Sequence, residues 1–360
     1  MMAWLISIFV LSVLVLTHEL GHFLVARWSG VRVTRFSIGF GPTLVRWQHG
    51  QTEYALSALP LGGYVKMAGE HRSEQAHEPW EFLSKPAGVR ARIVVAGPLV
   101  NYLVSLLSLW TVLVIGYPEL LPTVGRLVDD MPAKAAGMQV GDRILAVEGQ
   151  AIHTWDELTQ VIHRSPNRPL TLQCERRGAT LTVAVTPVAR QQVDPFGRTH
   201  VVGLMGVAPC EAFTTYRLAP LEAIPKTLSK QLEWAGQMGL SLWSMFTGRV
   251  SMQESLTGPI GIVYMTSEAV RMGLGALLYL VSVFSLSLAI FNVFPIPVLD
   301  GGHLFFLAVE KLRGRPLSLR VQEQATRISL AILMTLVVLV CISDVNRLGL
   351  VDKLRGWWRG

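Results

Sequence analysis

The sequence predicts a polytopic α-helical membrane protein with four transmembrane helices, a membrane-associated β-hairpin and one extracytoplasmic α+β domain. Three observations support this fold class. The 360-residue chain is 51% hydrophobic and only 16% charged, with a mean hydropathy of +0.41, which is too apolar for a soluble protein of this length. Four stretches reach the roughly 20 apolar residues that cross a bilayer. The basic residues concentrate in two of the loops between these stretches.

The four predicted spans cover residues 3–26, 93–116, 276–297 and 328–345. No cleavable signal peptide is expected, because the N-terminus has no basic region and the first apolar run is long. The three cysteines are far apart and odd in number, so they indicate neither a metal site nor a disulfide framework.

The distribution of charge predicts the orientation in the membrane. Residues 27–92 hold nine Lys and Arg and residues 298–327 hold five, whereas 116–277 has fourteen basic and fourteen acidic residues. The positive-inside rule places the first two segments in the cytoplasm and both termini outside it. The net charge of +7 therefore reflects topology, and we expect no nucleic-acid partner.

The regions between the spans differ in character. Residues 31–67 alternate short apolar runs with Gly and Pro, which predicts a β-hairpin turning at QHGQ. Because an open sheet is not tolerated in lipid, we expect a re-entrant hairpin packed against the helices, inside a first membrane half at 1–116. Residues 211–275 carry interrupted apolar patches with tryptophans, typical of interfacial helices at the outer surface. The second membrane half is expected at 276–360.

Residues 122–188 have the pattern of a compact extracytoplasmic domain. The helix TWDELTQVIHR begins with a capping box of Thr154 and Glu157, and tight turns are expected at Glu148-Gly149 and Arg177-Gly178. The run PAKAAGMQVGDRILAVEGQAI resembles the core signature of PDZ domains, in the permuted form typical of bacterial envelope proteases.

The residues that carry chemistry lie inside the first predicted span, in LTHELGHFL at 16–24. His18 and His22 are four apart and project from one face of a helix, and Glu19 follows the first of them. This HExxH spacing suits two zinc ligands and a general base. Zinc makes water acidic near neutral pH, and the glutamate takes the proton as water attacks a carbonyl. Ionisable residues are costly in lipid, which favours function over coincidence.

A third protein ligand is required, and the candidates are the remaining histidines, among them His303, and the carboxylates that can reach the same membrane depth. Asp300 in PVLDGG fits better, because the residue count along the first and third spans places it at the same membrane depth as the two histidines. The alternative is that Asp300 only caps a helix at the interface.

HELGH in the first span, GPLVN in the second, the PDZ-like unit and NVFPIPVLDGG in the third together resemble the site-2 protease family of intramembrane zinc metalloproteases, nearest to its regulator-of-sigma-E branch. The resemblance implies that His18, His22 and Asp300 bind zinc and that Glu19 is the catalytic acid/base. Its Asn-x-x-Pro-x-Pro stretch matches substrate-handling residues, here Asn292, Pro295 and Pro297. Family members usually carry two tandem PDZ units, and this chain has room for one.

The same resemblance implies the substrates and the location. It predicts single-span membrane proteins of the anti-sigma-factor type, trimmed first by another protease, and leftover signal peptides, in the lipid of the bacterial inner membrane. A substrate helix must unwind before its peptide bonds can be cut, and a strand within 36–67 could pair with the unwound backbone. Thr52, Tyr54 and Leu56 are therefore predicted to bind substrate. The alternative is that the hairpin only braces the first span.

Two further alternatives concern function. The PDZ-like unit either captures the new C-terminus of a trimmed substrate or blocks access to the active site by its bulk. The whole chain could instead be a non-catalytic membrane scaffold that recruits partners through this unit, or a metal transporter that uses the same ligands for transit.

Overall fold

The computed structural model describes residues 2–70, 75–193, 199–210, 212–249 and 257–347. Residues 348–360 of the predicted second membrane half and residues 250–256 of the predicted interfacial region lie outside the described residues. In chain order the helices are α1 (Met2–Trp28), α2 (Ala87–Ile115), α3 (Pro132–Ala135), α4 (Trp155–His163), α5 (Pro220–Phe246), α6 (Pro259–Met272), α7 (Leu274–Val293), α8 (Asp300–Arg313) and α9 (Leu319–Arg347).

The strands are β1 (Val33–His49), β2 (Thr52–Met67), β3 (Tyr117–Leu120), β4 (Val124–Leu127), β5 (Arg143–Val147), β6 (Gln150–Ala151), β7 (Leu170–Arg176), β8 (Ala179–Val185), β9 (Val188–Val193), β10 (Thr199–Leu204), β11 (Val207–Pro209) and β12 (Phe213–Tyr216). The described chain divides into two compact units. Among the described residues, one unit comprises 2–70, 75–111, 224–239 and 257–347, and the other comprises 112–193, 199–210, 212–223 and 240–249.

Within the part of the chain that the structure describes, four helices, α1, α2, α7 and α9, are long and apolar enough to cross a membrane, which confirms the prediction of four apolar helices. Their ends differ from the prediction for local reasons. Helix α2 begins at Ala87, directly after Pro86. Its first turns carry Arg90 and Arg92, and a span predicted from hydropathy begins only after these charged residues. Helix α7 ends at Val293, because Pro295 and Pro297 cannot continue a regular helix.

The predicted hairpin at 31–67 is confirmed, and its pairing is more elaborate than a simple hairpin. Strands β1 and β2 meet at Gly50, which has a φ of +60°. Residues 33–38 have register partners both in 63–67 and in 52–57, while 43–49 have partners in 52–57. The four stretches therefore lie side by side in the order 63–67, 33–38, 52–57, 43–49. The outer stretches of this small sheet are 63–67 and 43–49.

One face of this sheet is held against α1 by an aromatic cluster. Phe23 of α1 lies 5.1 Å from the ring of Phe36 and 6.1 Å from that of Tyr54, measured between centroids. Phe23, Phe36, Met67 and Ile93 belong to one buried core. The sheet is thus fixed to the same helix that carries HELGH.

Helix α5 is a single helix of 27 residues, and it is tied to two of the apolar helices by a buried polar cluster. The side-chain amide of Gln231 donates to Ser105 Oγ of α2 at 2.7 Å and to Ser282 Oγ of α7 at 3.2 Å. All three residues are fully buried. The interfacial location at the outer membrane surface, expected for residues 211–275, stays a prediction.

The second unit has its own apolar core, built around a four-stranded sheet of order β6-β5-β7-β8 and helix α4. One half of the predicted capping box is present, since Thr154 Oγ1 accepts the Glu157 N–H at 3.3 Å. The Glu157 carboxylate accepts the N–H of His153, at 3.0 Å, where a capping box would have that of Thr154. The predicted turns at Glu148-Gly149 and Arg177-Gly178 are also present, with positive φ at all four positions. Met205 belongs to this core, so the packed unit extends past residue 188.

Candidate metal centre

Two imidazoles meet on the inward face of α1. His18 and His22 are both 8% exposed, and their Nε2 atoms lie 3.1 Å apart. Their spacing of four brings the rings to successive turns of one helix face, as the sequence predicted. The rings pack edge to face with centroids 4.7 Å apart.

Asp300 joins them from the other half of the chain. It is the first residue of α8, after the non-helical stretch 294–299 that follows α7. Its Oδ2 lies 3.0 Å from His18 Nε2 and 3.3 Å from His22 Nε2. The two glycines that follow allow this reversal. A side chain at Gly301 would collide with the backbone of Val293 and Phe294, so glycine is required where α8 begins against the end of α7.

The donor set fits zinc. The three ligand atoms lie within 3.3 Å of one another, close to the separation of about 3.3 Å between ligands of a tetrahedral zinc with bonds near 2.0 Å. Asp300 Oδ2 is buried and accepts no hydrogen bond from the described residues. A buried carboxylate oxygen that faces two imidazole nitrogens is a set of donor atoms that a cation completes.

His303, the competing candidate, lies one turn further along α8. It is exposed and does not belong to the group of convergent ligands. The geometry therefore selects Asp300 over His303 as the residue that faces the two histidines.

Glu19 lies beside this group and has a partner that the sequence did not suggest. Its Oε2 accepts the backbone N–H of Val65, in the outer stretch of the small sheet, at 3.2 Å. The carboxylate is thus held next to the ligands without being one of them. No local sequence signal could have identified Val65, because the contact uses a backbone group of β2.

Helix α2 provides the surface behind both imidazoles. The carbonyl of Ile93 lies 2.9 Å from His22 Nδ1, and the side-chain amide of Asn101 lies 3.5 Å from His18 Nδ1. Gly97 lies between them, and a side chain there would collide with both rings. Both Gly97 and Asn101 belong to the GPLVN motif, which therefore lies against the two imidazoles.

The other predicted site residues are dispersed. Asn292 is half-buried in the last turn of α7, Pro295 is exposed, and Pro297 is half-buried in the turn before α8. None of the three belongs to the convergent ligand group. Their role with substrate stays a prediction.

Thr52, Tyr54 and Leu56 lie in the inner stretch 52–57 of the small sheet. Thr52 is buried and its hydroxyl donates to the Val33 carbonyl at 2.9 Å, and Tyr54 packs in the aromatic cluster. Their stretch has neighbours on both sides, so its backbone offers no free edge for an added strand. Contact with substrate through their side chains stays a prediction.

Comparisons with known proteins identify the family of this chain. The model of peptidase family M50 matches residues 6–336. The chain belongs to peptidase family M50. The resemblance to site-2 proteases is confirmed. Relatives of this M50 member include a protein from Rhizobium meliloti named as a zinc metalloprotease, which is 35% identical over 94% of this chain and 95% of its own length.

A second relative, from Agrobacterium fabrum and also named as a zinc metalloprotease, is 33% identical over 95% of both chains. The regulator of sigma-E protease RseP of Salmonella typhimurium is 31% identical over 96% of this chain and 99% of its own. This M50 protein is therefore a metalloendopeptidase whose cofactor is zinc, and the scaffold and transporter alternatives are set aside.

Proposed function

We propose that this M50 protein hydrolyses peptide bonds within transmembrane segments, with His18, His22 and Asp300 as the zinc ligands. The observation that carries the proposal is the convergence of three ligand atoms at 3.0–3.3 Å, two of which belong to α1, a helix apolar enough to cross a membrane. Ionisable side chains are costly in lipid, so their presence in such a helix favours a function that is carried out within the membrane.

The chemistry follows from the positions of the side chains. Zinc held there would polarise the substrate carbonyl and make water nucleophilic near neutral pH. Glu19 is placed to accept the proton from that water and to pass it to the leaving amine. The Val65 N–H fixes one oxygen of Glu19, which keeps the carboxylate oriented while the other oxygen handles the proton.

The stretch 63–67 is the part of the sheet suited to hold an unwound substrate. Along a strand, alternate residues direct their N–H and C=O groups to the same side. Val65 directs its N–H to Glu19, and the Met67 N–H points to the carboxylate of Glu70 at 3.2 Å. The backbone groups of Gly63, Val65 and Met67 therefore face away from β1. Because Glu19 and Glu70 occupy the N–H groups of Val65 and Met67, an extended substrate beside this stretch would pair with its remaining outward groups, chiefly the carbonyls, and would lie next to Glu19.

Photo-cross-linking tests this placement against the earlier prediction. A photoreactive amino acid is introduced at Tyr64 or at Leu56 of the Glu19→Gln chain, and a single-span substrate is added. We expect cross-links from position 64 that follow a two-residue period along the substrate. Cross-links from position 56 alone would show that substrate binds along the stretch 52–57 instead.

Glu19→Gln also tests the core proposal. The exchange leaves His18, His22 and Asp300 intact, so we expect the purified chain to keep its zinc, measured by mass spectrometry. Cleavage of a single-span membrane protein in detergent or vesicles should fall by at least about a hundredfold, as expected for loss of a general base. Cleavage at the parent rate would contradict the role of Glu19.

The substrates proposed are single-span proteins of the bacterial inner membrane, of the anti-sigma-factor type and trimmed first by another protease, with signal-peptide remnants as a second class. One relative is named a regulator of sigma-E protease, which supports the first class. The basic loops at 27–92 and 298–327 support cytoplasmic loops and extracytoplasmic termini. The released fragment would then enter the cytoplasm.

The second unit is proposed to be a PDZ domain outside the cytoplasm that either binds a trimmed C-terminus or restricts access by its bulk. The strand pairing at the base of this unit indicates where the unit can be deleted. Strands β3 and β12 pair with each other, and the Leu121 N–H donates to the Ala212 carbonyl at 2.9 Å. Joining residues 121 and 212 by a short linker therefore removes 122–211 and keeps this stem.

The two roles predict opposite results for that excision. If the unit restricts access, untrimmed substrate becomes cleavable. If it captures C-termini, cleavage of trimmed substrate falls and untrimmed substrate remains uncut. A cleavage assay that compares both substrates separates these outcomes, with zinc content as the control for a folded membrane half.

A further inference from the structure

We propose that Asn101 on α2 is a positioning residue that accepts the Nδ1 proton of His18 and so directs Nε2 of that ring toward the metal. The inference rests on the proposed zinc site, in which His18 is a ligand. It assigns a role to the GPLVN motif.

The structure already contains one such support, for the other histidine. His22 Nδ1 lies 2.9 Å from the backbone carbonyl of Ile93. A carbonyl can only accept, so Nδ1 of His22 carries the proton and Nε2 presents its lone pair. The ring of His22 is thereby fixed in the tautomer that a metal requires.

His18 needs an equivalent partner. Its Nε2 faces Asp300 and His22, so as a metal ligand it must carry its proton on Nδ1. The side-chain amide of Asn101 lies 3.5 Å from that Nδ1 and is fully buried. The Asn101 amide is therefore the side-chain group in position to accept the proton on Nδ1 of His18.

The neighbouring hydroxyl decides which end of the amide faces His18. As placed, Asn101 Nδ2 faces His18 Nδ1 at 3.5 Å and Asn101 Oδ1 faces Thr17 Oγ1 at 3.4 Å. Thr17 Oγ1 lies nearer to the Leu14 carbonyl, at 2.9 Å, and gives its single proton there. Toward Asn101 it can then only accept, which requires the amide to be turned over. The Asn101 end beside Thr17 must therefore be the NH₂ group. The two ends of an amide have the same shape, and the hydrogen-bond network determines their assignment. The carbonyl oxygen of Asn101 consequently points at His18 Nδ1.

The position of Asn101 is itself fixed. Its backbone carbonyl accepts a hydrogen bond from Ser285 Oγ of α7 at 2.7 Å. Ile93, Gly97 and Asn101 are spaced by four and share one face of α2, so one helix supports both rings while the bare Gly97 leaves room for them. Because α7 leads to Asp300, the same contact links the support of His18 to the segment that carries the third ligand.

The test measures zinc affinity of the purified full-length chain in detergent, by competition with a chelator. We expect Asn101→Ala to bind zinc about 10–100-fold more weakly, the usual loss when the partner of a metal-bound histidine is removed. Asn101→Asp keeps an acceptor at the same place and should restore most of the affinity. Thr17→Val frees the amide to rotate and should lower the affinity in the same direction, by less.

Ser105→Ala is the matched control. Ser105 lies one turn further along α2, is fully buried, and bonds to Ser282 and Gln231 rather than to a histidine. It should keep the parent zinc affinity. The chain loaded with Co²⁺ gives a second reading, since the visible absorption of cobalt depends on ligand orientation. The spectrum should change in Asn101→Ala and not in Ser105→Ala.

The outcomes separate this inference from the proposed function. If His18→Ala binds zinc as the parent does, the proposed metal site fails. If His18→Ala loses zinc while Asn101→Ala keeps the parent affinity, only the positioning role is overturned. Equal losses in Asn101→Ala and Ser105→Ala, or no rescue by Asn101→Asp, overturn it as well. Should Asn101→Ala fail to fold, parent affinity in Thr17→Val overturns it.

Discussion

His18 Nε2 and Asp300 Oδ2 lie 3.0 Å apart, although one belongs to the first apolar helix and the other follows the third. Between them the chain forms the small sheet, the second unit and helix α5. The site therefore depends on packing of the membrane helices and does not exist in any local segment. Metal binding and assembly of the two membrane halves should be coupled for that reason.

The first prediction uses two neighbours on α8. Asp300→Ala should reduce the zinc content of the purified chain to below roughly a tenth of the parent value, because the site loses one of three protein ligands. His303→Ala changes an exposed imidazole on the same helix and should bind zinc like the parent. The opposite pattern would identify His303 as the ligand.

The second prediction concerns the space behind the rings. Gly97→Ala places a methyl group against His18 and His22, so the imidazoles must move and cleavage should fall by about tenfold or more. Gly88→Ala lies in the same helix with nothing within 4 Å, and alanine favours helix there. Cleavage by Gly88→Ala should equal the parent rate; equal losses in both variants would indicate a general effect on α2.

Much of this arrangement could be predicted because it depends on residue type and spacing. The histidine pair follows from the helical period, the four spans follow from hydropathy, and the turn at Arg177-Gly178 follows from turn chemistry. Asp300 required the further step of comparing depths along two spans.

The remaining features depend on backbone groups or on tertiary packing, which leave no pattern in residue type. The Val65 N–H that binds Glu19 could belong to any residue. The double pairing of 33–38, which leaves 63–67 and not 52–57 at an edge, depends on how two long strands bend. The cluster of Gln231, Ser105 and Ser282 joins three helices. In the sequence each of these residues is a single polar side chain among apolar ones, and nothing indicates that the three meet.

The third prediction concerns pH and the second unit. Arg176 donates two hydrogen bonds of 2.7 Å to Asp142, whose side chain is fully buried. These bonds hold the pKa of the Asp142 carboxyl below its ordinary value. A lowered pKa in the folded state stabilises the unit above about pH 4, the ordinary pKa of aspartate, and the stabilisation is lost as the pH falls further.

Hydrogen exchange of the β5–β8 amides in the full-length chain measures this effect. Protection should fall below about pH 4 in the parent, and Asp142→Asn should be less protected at neutral pH with a flatter acid response. Asp129→Asn removes an exposed carboxylate that pairs with Lys134 and should leave protection unchanged. An acid response that is the same in parent and Asp142→Asn would refute the assignment.

The last prediction concerns a carboxylate near the end of the fourth apolar helix. Asp344 of α9 is 3% exposed and accepts the backbone N–H groups of Gly258 and Gly261, at 3.2 and 2.9 Å, at the start of α6. The first N–H groups of a helix have no partner within it, so Asp344 serves as their cap from another helix.

Asp344→Ala should destabilise the chain by about 1–3 kcal/mol, since it leaves buried donors unpaired. Asp344→Asn, which keeps one acceptor oxygen, should lose less. Glu268→Ala removes a carboxylate from an exposed pair with Arg271 on α6 itself and should leave the thermal unfolding midpoint in detergent unchanged. If Asp344→Ala unfolds at the parent temperature, the hydrogen bonds from α6 contribute nothing and the two helices are held by apolar contact alone.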